Sequence, residues 1–167
     1  MKSVPLIVVA ISGNRGRKLL HHLKLIHAEV LTVESCQQVR ELLAAHPVDL
    51  VITEVSLADG NWCDLIRHMV DNETPARVVV TAETPTDSLW AEVFWRGAHD
   101  LLVAPYQAQE VRHVVWSALR MTEFLTSELS LSNRWGASSL SAQMQSSGQR
   151  GPAHADHAAV GRGCFLP

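Results

Sequence analysis

Apolar residues along the first part of the chain alternate between two spacings. Five short runs are apolar at consecutive positions and rich in β-branched residues, which is typical of parallel strands covered on both faces. These runs are Leu6–Val9, Val30–Val33, Leu50–Thr53, Val78–Thr81 and Leu101–Val103. The pattern predicts five buried strands.

Between and after these runs, apolar residues recur three or four positions apart, which is the spacing of an amphipathic helix. We expect five helical stripes that face the core. They are Leu19, Leu20, Leu23 and Ile26; Val39, Leu42 and Leu43; Leu65, Ile66 and Met69; Leu89, Val93 and Phe94; and Val111, Val114, Val115 and Leu119. The last helical pattern continues through Met121, Phe124, Leu125 and Leu129. Five alternations of strand and helix predict an α/β fold, a five-stranded parallel doubly wound sheet with helices on both faces.

In such a sheet the functional site lies beyond the carboxyl ends of the strands. The loops that reach this edge are Ala10–Gly16, Glu54–Asn61, Thr81–Pro85 and Ala104–Tyr106. The residues of these loops are therefore the first candidates for a functional site.

The composition changes near Ser130, after which serine, glycine and Ala-His pairs replace the periodic apolar residues. Segments of this kind cannot bury enough apolar surface to offset the entropy of ordering. We expect one domain over residues 1–130 with an extended last helix, and a low-complexity, disordered tail over 131–167.

The overall charge narrows the possible functions. A formal net charge of −3, from 14 Lys and Arg against 17 Asp and Glu, gives no reason to expect binding to nucleic acid or a membrane surface. The apolar runs are too short to span a bilayer and no signal peptide is evident, so a cytoplasmic location is expected. No metal site, cofactor or catalytic Ser/His/Asp or Cys/His set can be placed around one loop, which predicts a protein that is not an enzyme.

Three ordered blocks resemble the receiver domains of two-component response regulators, which have a flavodoxin-like fold. They are Asp49–Gly60, similar to the third strand and its loop, Val78–Glu83, similar to the fourth strand, and Gly97–Tyr106, similar to the fifth. The resemblance covers residues 4 to about 120 and implies a role in phosphorelay signal transduction.

The resemblance places Glu54 at the phosphoacceptor position, where the family has aspartate, and Ala104 where the family has lysine. Strand one ends in Val9–Ser12 without the acidic pair that holds Mg²⁺ in the family. Since Mg²⁺ needs oxygen ligands and neutralises the transferred group, we expect Glu54 not to be phosphorylated. Its carboxylate either imitates an aspartyl phosphate or is a solvated loop group.

The resemblance also identifies the positions equivalent to the family's switch residues. Thr81 occupies the switch Thr/Ser position and either hydrogen-bonds Glu54 or is an ordinary strand-end threonine, while Leu101 occupies the position of the switch aromatic residue. The Ala104–Pro105 peptide bond is expected to be cis. Arg15 is the candidate to fill the space beside Glu54.

The resulting hypothesis is a degenerate, stand-alone receiver that acts through contacts with a histidine kinase, another regulator or itself. Two alternatives stay open: the receiver fragment of a multidomain regulator, and a flavodoxin-like protein that binds phosphate or a small ligand at the loop Ser12–Arg17. Among Trp62, Trp90, Trp95 and Trp116, at least two are expected in the core. An exposed one on the surface of helix 4, strand 5 and helix 5 would indicate a partner or homodimer surface.

Overall fold

The computed structural model describes the backbone of residues 4–142 and the side chains of residues 4–13 and 16–128. By the contacts between its Cα atoms the chain divides into two units, Met1–Ser130 and Leu131–Pro167. The site and the surfaces described below all belong to the first unit.

Strands and helices alternate through the described residues. In chain order they are β1 (Leu6–Ala10), α1 (Asn14–Leu23), β2 (Glu29–Val33), α2 (Cys36–Ala45), β3 (Leu50–Glu54), α3 (Trp62–Asp71), β4 (Arg77–Ala82), α4 (Asp87–Trp95), β5 (Asp100–Val103) and α5 (Ala108–Ala142). The five predicted strands are confirmed, each within a residue or two of its predicted ends. A small antiparallel hairpin, Ser56–Leu57 with Gly60–Asn61, lies between β3 and α3 and was not predicted.

The strands form one parallel sheet in the order β2-β1-β3-β4-β5. This arrangement confirms the predicted doubly wound α/β fold. From β1 the chain adds β2 on one side and then β3 on the other side. The strands β1 and β3 are therefore neighbours, with Ala10 opposite Thr53. On the other side of β3, Glu54 lies opposite Thr81. The register therefore brings the ends of β1, β3 and β4 to one place.

The strands alternate their side chains between two apolar clusters, one on each face of the sheet. On one face Val8, Ala10, Val51 and Val80 pack with α2, α3 and α4. On the other face Ile7, Val9, Ile52 and Val79 pack with α1 and α5. Because both faces are covered, each strand is apolar at consecutive positions, as the sequence pattern indicates.

Three residues of the predicted helical stripes lie in solvent. Phe94 is 67% exposed, Met121 is 42% exposed and Phe124 is 60% exposed. Successive residues of a helix are turned by about 100°, so Phe94 is displaced from its buried neighbour Val93. Trp90, one turn earlier, packs against the core beside Val93. The prediction that Phe94 faces the core is therefore wrong.

Helix α5 is longer than the predicted domain requires, since it ends only at Ala142. The backbone of 131–142 is thus helical where the composition predicts no regular structure; this segment contains no proline, so a helix can propagate through it. The remaining tail, 143–167, lies outside the described residues. Among the helices of the described part, none combines the length and apolarity that crossing a membrane requires.

Candidate functional site

The predicted loops meet in a polar cleft of about 320 Å³ at the carboxyl edge of the sheet. Its walls come from the ends of β1, β3 and β4 and from the segment after β5: Ser12, Glu54, Val55, Ser56, Thr81, Ala82, Glu83 and Tyr106. This is the edge at which parallel α/β sheets place their ligands. The cleft therefore contains the phosphoacceptor-equivalent position that the resemblance identifies.

Glu54 is the last residue of β3 and is only 7% exposed. Its Oε2 atom accepts a hydrogen bond of 2.7 Å from the hydroxyl of Ser12 and another of 3.2 Å from the backbone N–H of Ser12. Glu54 is therefore not the solvated loop carboxylate that one interpretation of the sequence suggested. The sequence pattern places Ser12 in a possible anion-binding loop and does not indicate this contact.

Thr81 lies in β4 directly opposite Glu54 and is 3% exposed. Its hydroxyl donates a hydrogen bond of 3.3 Å to the backbone carbonyl of Thr53. A hydroxyl has a single proton, so Thr81 does not donate it to Glu54 here. Of the two interpretations of Thr81, this geometry corresponds to an ordinary strand-end threonine that ties β4 to β3.

The end of β1 does not supply ligands for Mg²⁺. Ala10 is fully buried in the cluster under α2, α3 and α4, and Ile11 is 7% exposed in the cluster under α1 and α5. Neither side chain has an oxygen atom, whereas Mg²⁺ takes oxygen ligands in near-octahedral geometry. Among the side chains that the structure describes, no three His, Cys, Asp or Glu residues are grouped so that they could hold a metal ion.

The segment after β5 carries two of the positions implied by the resemblance. The Ala104–Pro105 peptide bond is cis, as expected. The backbone N–H of Ala104 donates to the carbonyl of Ala82 at 2.9 Å, so position 104 adjoins β4 beside the cleft. Leu101 is 2% exposed and belongs to the cluster under α2, α3 and α4, so this position is part of the core.

The loop between β1 and α1 lines a separate cavity of about 670 Å³. Gly13 has a φ of 68° and is the N-cap of α1, which has no side-chain cap. The cavity is also lined by Arg17 and by the acidic Glu34. Arg15 is the second residue of α1, but its side chain lies outside the described part, so both its contact with Glu54 and an anion site at this loop stay predictions.

The loop after Glu54 is fastened to the start of α2, a feature that sequence reasoning missed. The carboxylate of Asp59 accepts hydrogen bonds from the backbone N–H groups of Cys36 at 2.6 Å and Gln37 at 2.8 Å. These hydrogen bonds hold the pKa of Asp59 below its ordinary value. A Cβ atom on Gly60 would lie 3.0 Å from the Cys36 sulfur, a tight contact that would require the sulfur to move by a few tenths of an ångström.

The tryptophans divide between core and surface. Trp62 is 2% exposed and Trp90 is half-buried against the same cluster, so at least two tryptophans pack in the core, as expected. Trp95 is 89% exposed at the end of α4, and Trp116 is 53% exposed on α5. Trp116 lines a surface groove of about 630 Å³ with other residues of α5, namely His113, Ser117, Arg120, Met121 and Phe124.

Known proteins share this architecture. The response regulator protein PilR of Pseudomonas aeruginosa is 30% identical over 105 residues, which are 62% of this chain and 23% of PilR. The chain thus spans about a quarter of that relative's length. The signal receiver domain of a putative LuxO repressor protein from Vibrio parahaemolyticus superposes with a TM-score of 0.68 at 18% identity, covering 74% of this chain and 96% of that one.

A second structure agrees with the first. The signal receiver domain of an HD domain-containing protein from Pseudomonas fluorescens superposes with a TM-score of 0.69 at 20% identity, over 76% of this chain and 95% of that one. The chain has the fold of these receiver domains. No family model matches its sequence.

Within this fold the cleft lies where the resemblance puts the phosphoacceptor, but its residues differ from those that receiver domains use. By that resemblance, Ala10 and Ile11 stand at the positions of the acidic pair, Glu54 at that of the aspartate, and Ala104 at that of the lysine. The apolar side chains at the end of β1 do not fit Mg²⁺. What the cleft retains is a buried carboxylate held by a serine.

Proposed function

We propose that the chain is a degenerate response-regulator receiver that acts in two-component signalling through protein–protein contacts and without phosphorylation. The observation that carries this proposal is the apolar end of β1, where Ala10 and Ile11 are buried in the two core clusters. A protein that transfers a phosphoryl group has to stabilise the charge that accumulates on it. Here both the metal ligands and the lysine are replaced by groups without charge.

The chemistry at position 54 supports the same conclusion. Attack on a phosphodonor requires a carboxylate oxygen that is accessible and aligned with the leaving group. The residue Glu54 is 7% exposed, and its Oε2 atom already accepts two hydrogen bonds from Ser12. Glu54 therefore acts in this proposal as a fixed negative charge in the cleft and not as an acceptor.

The test is incubation of the full chain with acetyl phosphate and Mg²⁺, followed by intact-mass measurement. We expect no mass increase, while a receiver domain with the acidic pair, aspartate and lysine is labelled in parallel. Glu54→Asp alone is expected to remain unlabelled, since it restores neither the metal ligands nor the lysine. A stoichiometric, base-labile phosphoryl adduct on Glu54 would contradict the proposal.

The surface of α4, β5 and α5 is the proposed partner surface. Its exposed apolar residues are Phe94, Trp95, Trp116, Met121 and Phe124. Large exposed aromatic side chains are the groups that contribute most to protein interfaces. We propose that this surface binds a second copy, a histidine kinase or another regulator.

The homodimer form of this proposal is tested by sedimentation velocity over a concentration series. We expect a dimer that the double variant Trp116→Ser with Phe124→Ser reduces to a monomer. Leu25→Ser is the matched control, because Leu25 is 77% exposed but lies just after α1, outside the three elements that form this surface. A monomer at every concentration, or an equal loss in the control, contradicts the homodimer.

A further inference from the structure

Ser12 makes an unusual pair of contacts for a loop serine. Its hydroxyl and its backbone N–H both donate to the same atom, Oε2 of Glu54, at 2.7 and 3.2 Å. The two residues are 42 positions apart in the chain, so these bonds join the loop after β1 to the end of β3. A hydrogen bond to an ionised carboxylate is about twice as strong as one between neutral groups.

The geometry excludes the ordinary role of a serine beside the start of a helix, which is to cap that helix. The N-cap of α1 is Gly13, and α1 has no hydrogen bond from a capping side chain. A serine at this place usually satisfies a free N–H group of the helix. The hydroxyl of Ser12 crosses to β3 instead, although it lies one residue from the cap.

The backbone around Ser12 is restricted on its other side as well. Gly13 has a φ of 68°, a conformation that costs glycine little and other residues more. One turn later, a Cβ on Gly16 would lie 3.2 Å from the carbonyl oxygen of Ile11. The loop is thus held at Ser12 by Glu54 and at Gly16 by close packing.

From these contacts we infer that Ser12 is a positioning residue that replaces a metal ion in fixing the carboxylate at position 54. The inference rests on the proposed function, in which Glu54 is not phosphorylated. The serine clamp, defined as the two hydrogen bonds from Ser12 to Glu54, holds the β1–α1 loop against β3 without Mg²⁺. Its consequence is a receiver whose conformation at this edge does not depend on a cation or a phosphodonor.

The experiment uses NMR on the full chain to follow the Glu54 side-chain carboxyl ¹³C resonance and hydrogen exchange of the Ser12 and Gly13 amides. Ser12→Ala is expected to move the resonance and to speed exchange of these amides by about tenfold, the effect of losing one charge-assisted hydrogen bond. Ser12→Thr keeps a hydroxyl and should restore both values. Ser56→Ala is the control, because Ser56 is an exposed serine of the same cleft.

A double-mutant cycle separates the clamp from a general loss of structure. Glu54→Ala removes the acceptor of both hydrogen bonds, so its effect on exchange should be smaller in the Ser12→Ala background, where one of the two bonds is already lost. Additive effects, an unmoved Glu54 resonance in Ser12→Ala, or failure of Ser12→Thr to restore it would overturn the inference. Loss of protection when EDTA is added to the unmodified chain would also overturn it, because a metal would then hold the loop.

These outcomes are independent of the phosphorylation test. A chain that is labelled by acetyl phosphate but loses amide protection in Ser12→Ala refutes the proposed function and keeps the clamp. A chain that is not labelled and does not respond to Ser12→Ala keeps the proposed function and refutes the clamp.

Discussion

Replacing Ser12 with aspartate should convert the clamp into a cation-dependent contact. In Ser12→Asp a second carboxylate faces the Glu54 Oε2 atom. In the unmodified chain this atom accepts a hydrogen bond of 2.7 Å from the serine hydroxyl. Two unit charges about 4 Å apart repel by about 4 kcal/mol at an effective dielectric constant near 20. Ser12 is exposed, so solvent reduces this repulsion, and we expect a loss of about 2 kcal/mol in the free energy of unfolding.

Mg²⁺ should reverse part of this loss, because two carboxylates offer the oxygen ligands that the unmodified cleft lacks. For a Kd of about 1 mM, about 10 mM Mg²⁺ stabilises the folded variant by about 1.4 kcal/mol, from RT ln(1 + [L]/Kd). In a domain of this size 1 kcal/mol corresponds to roughly 4 °C in Tm. We therefore expect Tm to fall by about 8 °C in EDTA and to recover by about 6 °C in Mg²⁺.

Thermal unfolding followed by circular dichroism, at constant ionic strength, measures both effects. Ser56→Asp is the matched control, since it adds a carboxylate to the same cleft at a residue outside the clamp. The predicted charge repulsion is refuted if Ser12→Asp is as stable as the unmodified chain in EDTA. It is refuted equally if Ser56→Asp shows the same loss and the same recovery.

Two further predictions concern the opposite edge of the sheet. Thr122 is 2% exposed, and its hydroxyl lies 2.9 Å from the carbonyl oxygen of Asp49 and 3.2 Å from that of Ala118, so the two acceptors share its single proton. Thr122→Val should therefore lower the free energy of unfolding by about 1–2 kcal/mol in urea denaturation; an unchanged midpoint would contradict this. Burial lowers the pKa of His99, whose ring contacts the Ser117 hydroxyl at 3.0 Å. The unfolded chain then binds this proton at a higher pH than the folded chain, so the free energy of unfolding should fall as the pH drops below about 6.5. The fall should be smaller in His99→Gln, and Tm measured across pH for both chains checks this.

The sheet could be predicted because burial on both faces leaves a direct signal in the sequence. Each strand is a run of apolar residues, and each run, such as Leu50–Thr53, is found in the structure with small changes at its ends. The hairpin at Ser56–Asn61 could not be found in this way, because its two-residue strands are too short to show any period. Phe94 was misplaced because an apolar residue at helical spacing is compatible with both a core and a partner surface.

The position of the cleft could be predicted, but the contact between Ser12 and Glu54 could not. Several polar groups follow β1, and Arg15 is the candidate that the sequence favours beside Glu54; that contact stays a prediction. The contact with Ser12 depends on the register in which Ala10 faces Thr53, because that register places the residue after Ile11 beside the end of β3. A usable signal existed, since a hydroxyl directly after a strand that neighbours β3 is well placed to reach its last side chain.

That register has a consequence for comparing sequences. In any chain with this β1–β3 pairing, the positions equivalent to Ser12 and Glu54 adjoin each other whichever residues occupy them. A mutation at one position changes which residues are acceptable at the other, so the two should vary together across relatives. We expect a hydroxyl at the first position to accompany glutamate at the second wherever the end of β1 is apolar. Tabulating these two columns across receiver sequences would divide the group into metal-dependent and serine-held lineages before any protein is purified.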